Sequence, residues 1–275
     1  MWLKLDRLWR MLATGLCFLL YGSFSLLFSV TLLPMMLLWP GDAAARQHRI
    51  RLFVSTTFRM LLAFIRILGI GSVDVQGQEW LAQSQGKLVI ATHPSYLDVV
   101  ALLMLMPYAD CVVKSAMLKN PFYRRFAKAA GYVSNDDSAR LVETCVDSLH
   151  RGRTLVLFPE GTRSGPGEAL HFRRGAAQVA VRSGCQILPV TIQCTPPAFL
   201  KSSRWWQVPE RAWCLSLRIH PPQDLAAFGY RADLPHGVAA RRLTCSLEDF
   251  FKQQLANHER TDRRTEAAHH RLARS

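Results

Sequence analysis

The apolar run Lys87-Leu-Val-Ile-Ala-Thr92 ends in His93-Pro-Ser-Tyr-Leu-Asp98, after which an apolar helical pattern begins. Histidine can take up and return a proton near neutral pH. A carboxylate that holds one ring nitrogen leaves the other to face a substrate, so this spacing offers a general-base pair in which His93 and Asp98 are the catalytic candidates. The same spacing also arises when a His merely ends a strand and an Asp occupies a helix's first turn.

A second segment, Phe158-Pro-Glu-Gly-Thr-Arg-Ser164, again lies just beyond a short apolar run. Gly161 relaxes the backbone so that amides can approach an anion, Thr162 and Ser164 offer hydroxyls, and Arg163 offers a bidentate fork suited to phosphate. Glu160 could pair with Arg163 or receive a substrate proton, and a tight turn tied by a Glu160/Arg163 ion pair is the plainer reading. Phe172-Arg-Arg-Gly175 adds cationic charge, with Arg174 as a further substrate-binding candidate.

These segments need elements to position them. Short apolar runs at 73–75, 88–91, 111–113, 155–158, 187–192 and 214–219 read as strands, and 97–106, 138–151 and 176–182 read as helices. Such alternation predicts an α/β fold with a mixed, largely parallel sheet flanked by helices. In an open parallel sheet, loops at the carboxyl ends of strands share one rim where ligands bind, which would bring the two segments to one cleft.

Residues 11–41 contain no Asp, Glu, Lys, Arg or His. The run exceeds both the ~20 residues needed to cross a bilayer and the ~7–15 of a signal-peptide core, so it reads as a retained, membrane-embedded helical anchor. Basic residues flank it on both sides, and Gly22 and Pro34 permit a break, so a single span and a hairpin in one leaflet both stay open. In 50–68, Arg51, Arg59 and Arg66 fall within roughly 80° of one another on a helical wheel, opposite Phe53, Leu61, Phe64 and Leu68. That pattern fits a helix lying in the membrane interface, and equally an ordinary amphipathic helix on a soluble core. The division is then 1–72 anchor and interfacial helix, 73–257 catalytic domain, and 258–275 a polar, basic, frayed tail.

A net charge of +14 calls for an anionic partner. The aromatic residues lie mostly in apolar segments rather than among basic ones, which disfavours nucleic acid. The seven cysteines form no C-x-x-C pair and no Cys/His metal spacing, and read as reduced packing residues.

The ordered set of His93 to Asp98, a middle block with Lys114, Pro121 and Gly131, Phe158 to Ser164, and Ile187-Leu-Pro-Val190 resembles the glycerolipid acyltransferase family typified by 1-acyl-glycerol-3-phosphate acyltransferases. The resemblance implies that His93 is general base on an acceptor hydroxyl and that Asp98 orients it. It also implies that Glu160, Gly161, Thr162 and Arg163 shape an acceptor phosphate pocket, with no metal or cofactor. The implied partners are acyl-CoA or acyl carrier protein as donor, a lysophospholipid as acceptor, and the lipids of an inner, cytoplasmic membrane, with the catalytic domain on its cytoplasmic side. No G-x-S-x-G is present for an acyl-enzyme, so Ser95 reads as a loop and capping residue. Thr92 stands where many members carry Asn, and Ser134-Asn-Asp-Asp137 where many carry an Arg. These departures keep a lyso-ornithine lipid or another specialised acceptor open, alongside water as acceptor and a non-enzymatic lipid-binding protein.

Overall fold

The computed structural model describes residues 2–113, 118–119, 121–134, 138–165, 167–201 and 203–272. Lys114 and the 135–137 stretch fall outside them.

The chain enters through a long apolar helix. α1 (Trp2–Leu27) continues through a π-turn (Phe28–Leu32) into α2 (Leu33–Leu38). Pro34 has no N–H to donate and its ring crowds the preceding turn, and the backbone widens just ahead of it instead of breaking. α3 (Ala43–Ile67) then starts at Asp42, whose carboxylate accepts the Ala45 N–H at 2.7 Å. It runs back along α1. The Trp9 indole donates to the Leu68 carbonyl at 3.0 Å, Tyr21 meets Phe58 at 6.2 Å, and Phe28 stacks on Phe53 at 4.6 Å.

The remaining elements alternate as the sequence suggests: β1 (Gly71–Gln76), β2 (Leu88–Ala91), α4 (Leu97–Leu105), β3 (Asp110–Val113), α5 (Pro121–Ala129), β4 (Val133–Ser134), α6 (Ser138–His150), β5 (Leu155–Leu157), α7 (Gly175–Ser183), β6 (Ile187–Thr195), β7 (Trp213–Ile219) and α8 (His236–Leu272). The sheet order is β1-β7-β6-β2-β5-β3-β4. All neighbouring pairs are parallel except β6 with β7, which gives the mixed, largely parallel sheet. β2 lies between β5 and β6 with both faces covered, which is why it reads as a continuous apolar run rather than an alternating one. Val89 and Ala91 pack toward α3 and α4, and Leu88 and Ile90 toward α6, α7 and α8.

Three elements lay beyond the sequence reading: β4, α5 and α8. β4 is too short to carry a period, and α5 is a short helix of nine residues that mixes three basic residues with aromatic and small ones. α8 continues as helix to Leu272, past residue 258 where apolar periodicity is lost.

Arg51 departs from the expected interfacial arginine stripe. It is 6% exposed, pairs with the buried Asp110 carboxylate, and donates to the Ala130 and Tyr108 carbonyls at 2.6 and 3.0 Å. Arg59 and Arg66 remain exposed. The wheel placed all three arginines on one side but could not show that Arg51 points at a neighbouring strand. A buried guanidinium must be paired, and Asp110 at the start of β3 supplies the charge.

Candidate active site

β2 and β5 are adjacent and parallel, with Leu88 beside Leu155 and Ile90 beside Leu157. Their carboxyl ends therefore open at one rim, and the two chemistry-bearing segments leave the sheet side by side. The His93 imidazole lies 4.3 Å from the Phe158 ring, tilted by 29°. His93 Nδ1 is 3.0 Å from Asp98 Oδ2, an oxygen that also accepts the Ser95 N–H at 2.7 Å. Asp98 Oδ1 is buried with no hydrogen-bond partner among the described residues. Burial pushes the Asp98 carboxyl up to about 6, opposed mainly by its bond to His93. With Nδ1–H donating to this carboxylate, Nε2 is the basic nitrogen left for a substrate, and 17% of the His93 side chain remains accessible.

Glu160 fastens the two segments together. Its Oε1 accepts the His93 backbone N–H at 2.7 Å, its Oε2 accepts the Ser164 hydroxyl, and the Ser164 N–H donates to the His93 carbonyl at 3.1 Å. Both backbone polar groups of His93 are thus held by residues of the 158–164 loop. Glu160 is 6% exposed, and burial raises its pKa, opposed by the bonds from Ser164 and His93. Among the described residues Glu160 forms no ion pair with Arg163, so the Glu160/Arg163 alternative gives way to a tie between Glu160 and the His93 backbone.

The Arg163 guanidinium donates through Nη1 to the carbonyls of Phe199 and Leu200 at 3.0 and 3.3 Å and lies 5.7 Å from the centre of the Tyr96 ring. Those contacts fix its orientation at the mouth of the site while leaving other N–H groups of the fork uncommitted to them. Gly161 has φ +70°, and a side chain there would come within 2.8 Å of the Arg173 guanidinium. Glycine is needed for the turn and for this approach. Thr162 is half-buried beside it, and Arg174 is exposed at the start of α7. The structure thus sets Arg173 against the loop, while Arg174 stands one residue further along.

Sequence reasoning missed the third wall. The segment after β6 contributes carbonyls only: Ala198 accepts the Ser95 hydroxyl at 3.1 Å, and Phe199 accepts the Tyr96 N–H at 3.3 Å as well as Arg163. A backbone acceptor leaves no signature in residue type. Ser95 also accepts the Leu97 N–H at 3.3 Å, a loop and helix-start role with its hydroxyl spent. No group of His, Cys, Asp and Glu able to hold a metal occurs among the described residues.

Comparison with known proteins follows this geometry. Residues 72–193 match the family model Acyltransferase, a span holding both segments. A chloroplastic 1-acyl-sn-glycerol-3-phosphate acyltransferase of Brassica napus is 27% identical over 66% of this chain and 53% of its own length. A 1-acyl-sn-glycerol-3-phosphate acyltransferase of Helicobacter pylori is 32% identical over 38% of this chain and 48% of its own. The chain spans about half the length of these curated relatives. The crystal structure of the 1-acyl-sn-glycerophosphate acyltransferase PlsC from Thermotoga maritima aligns with a TM-score of 0.66 at 22% identity, covering 92% of this chain and 97% of that one, a likeness of fold. The span from 72 to 193, which holds both the His93 and the Glu160 segments, is therefore similar to acyltransferases.

Proposed function

We propose that this protein transfers a fatty-acyl group from a thioester, acyl-CoA or acyl carrier protein, to the free hydroxyl of a lysophospholipid of the 1-acyl-glycerol-3-phosphate kind. The observation that carries the reading is the His93–Asp98 pair at 3.0 Å, locked to the neighbouring loop by the Glu160 carboxylate. His93 Nε2 takes the hydroxyl proton as the oxygen attacks the thioester carbonyl carbon. The tetrahedral species then collapses with cleavage of the C–S bond, and the imidazolium returns its proton to the departing sulfur, giving ester and thiol. Asp98 stabilises the imidazolium in between. Arg163, held by the Phe199 and Leu200 carbonyls, and Arg173, beside Gly161, are positioned for the acceptor's phosphate, which an arginine fork matches bidentately.

The reading includes membrane association. Leu12, Leu19 and Leu27 of α1 and Leu38 of α2 are 59–85% exposed, an apolar surface larger than a soluble monomer ordinarily leaves in water. The packing of α1 along α3, instead of away from the domain, supports burial in one leaflet, and the use of thioester donors is the reason to assign the cytoplasmic side of an inner membrane.

The test is purified full-length protein with labelled acyl-CoA or acyl carrier protein against lysophosphatidate, other lysophospholipids and a lyso-ornithine lipid. We expect His93-dependent ester formation on the phosphate-bearing acceptor. Ester formed only on another acceptor would replace the substrate, and acyl release to water alone would replace the reaction.

A further inference from the structure

The turn Arg204-Trp205-Trp206-Gln207 has no part in the site described above. It is closed on itself, the Gln207 N–H donating to the Arg204 carbonyl at 3.0 Å and the Arg204 N–H to the Gln207 side chain at 2.7 Å. Turn tips ordinarily carry Gly, Pro, Asn or Asp, which tolerate water. Here they carry two indoles, Trp205 and Trp206, that are 49% and 43% exposed. The surface continues onto the first helix: a side chain at Gly15 would come within 3.0 Å of the Trp205 ring, and Phe18 meets Phe199 at 6.1 Å. Leu12 and Leu19 of the same helix are 60% and 66% exposed. Charge accompanies the rings, with Arg204 5.2 Å from the centre of the Trp206 ring and Lys201 exposed.

We propose that this turn is a second membrane-contact element, which seats Trp205 and Trp206 in the headgroup layer of an anionic bilayer beside the apolar face of α1. Indoles favour that layer because one edge is apolar and the other donates a hydrogen bond, and the two cations face the lipid phosphates. The root of the turn is tied to the site, since Phe199 and Leu200 hold Tyr96 and Arg163 through their carbonyls. Seating the tip in the headgroups therefore sets the height of Arg163 at the layer where an acceptor phosphate lies. The proposal rests on the reading that α1 and α2 lie in the bilayer.

The experiment uses full-length protein and vesicles of phosphatidylcholine with or without phosphatidylglycerol, read by co-sedimentation and by tryptophan quenching from lipids brominated near the headgroup. W205F/W206F keeps a ring over Gly15 and removes the fluorophores, so part of the quenched emission should disappear. W205S/W206S should weaken vesicle binding roughly tenfold or more. K201Q/R204Q should weaken binding by about fivefold per lost charge, on vesicles with phosphatidylglycerol only. Wild-type protein that stays in the supernatant overturns the membrane reading and this proposal together. Wild-type protein that pellets, while W205F/W206F shows the full quenched emission of the wild type, overturns the turn's role alone.

Discussion

Asp98→Asn separates charge from geometry at this site. Both hydrogen bonds to the carboxylate converge on Oδ2, from His93 Nδ1 at 3.0 Å and Ser95 N–H at 2.7 Å, while Oδ1 has no partner among the described residues. An asparagine can present its carbonyl oxygen at the Oδ2 position and keep both bonds and the ring tautomer. What it loses is the negative charge beside the imidazolium. With the charge centres about 4 Å apart and an effective dielectric near 20 that charge is worth about 4 kcal/mol, so turnover should fall roughly a thousandfold at neutral pH. The loss should shrink toward low pH, because Asp98 protonates at about 6 and the wild type then lacks the charge too. Stability should move the other way. The folded pKa of about 6 lies above the ordinary 3.8, so the favourable contribution of Asp98 is present below 3.8 and is lost as pH rises through 6. The span corresponds to about 3 kcal/mol, and the asparagine variant should gain stability relative to wild type by up to that amount between pH 4 and pH 7. The buried amide nitrogen costs about 1–3 kcal/mol at every pH, which shifts the whole comparison without altering its slope. Initial rates and chemical denaturation, each at pH 5 and pH 7.5, check both trends. A rate ratio independent of pH, or no loss of turnover at all, would show that Asp98 serves only as a helix-start residue.

His93→Ala should lower kcat by roughly two to four orders of magnitude with an unchanged melting transition, and near-wild-type turnover would end the general-base mechanism. Glu160→Gln can turn its oxygen to the His93 N–H and its amide to Ser164, so we expect a small loss, whereas Glu160→Ala frees the His93 backbone and should cost roughly a hundredfold in kcat with acceptor KM little changed. A KM effect without a kcat effect in Glu160→Ala would place the carboxylate at the acceptor instead. Arg163→Lys and Arg163→Ala should form a graded series in acceptor KM with donor KM little moved, and equal effects on neutral and anionic acceptors would make the residue structural. Arg51→Met leaves the buried Asp110 with only the Ser148 hydroxyl and the partly exposed Arg153 guanidinium at 3.6 Å and should lower unfolding free energy by about 3 kcal/mol in urea, and a loss under 1 kcal/mol would contradict the burial of the Arg51 pair.

The α/β alternation, and the placement of His93, Asp98 and Glu160 just beyond two of its strands, were legible along the chain. Each is written in local terms: an apolar run long enough for a buried strand, then a polar, glycine-containing turn. The pairing of β2 with β5 was anticipated only as a shared rim, and the sheet order brings the two segments into contact. Three matters were decided by tertiary structure alone. Glu160 bonds to the His93 backbone and not to Arg163, because both segments leave adjacent parallel strands and the carboxylate meets an amide 67 positions away in sequence. Arg163 finds its partners in the Phe199 and Leu200 carbonyls, which any residue type would supply and which no spacing rule can flag. Arg51 shares a wheel face with Arg59 and Arg66, yet it alone turns inward, since helical periodicity gives the direction of a side chain about its own axis and says nothing of what stands opposite. Residue patterns determine what each segment is able to form, and the packing of segments distant in sequence determines which of their polar groups meet.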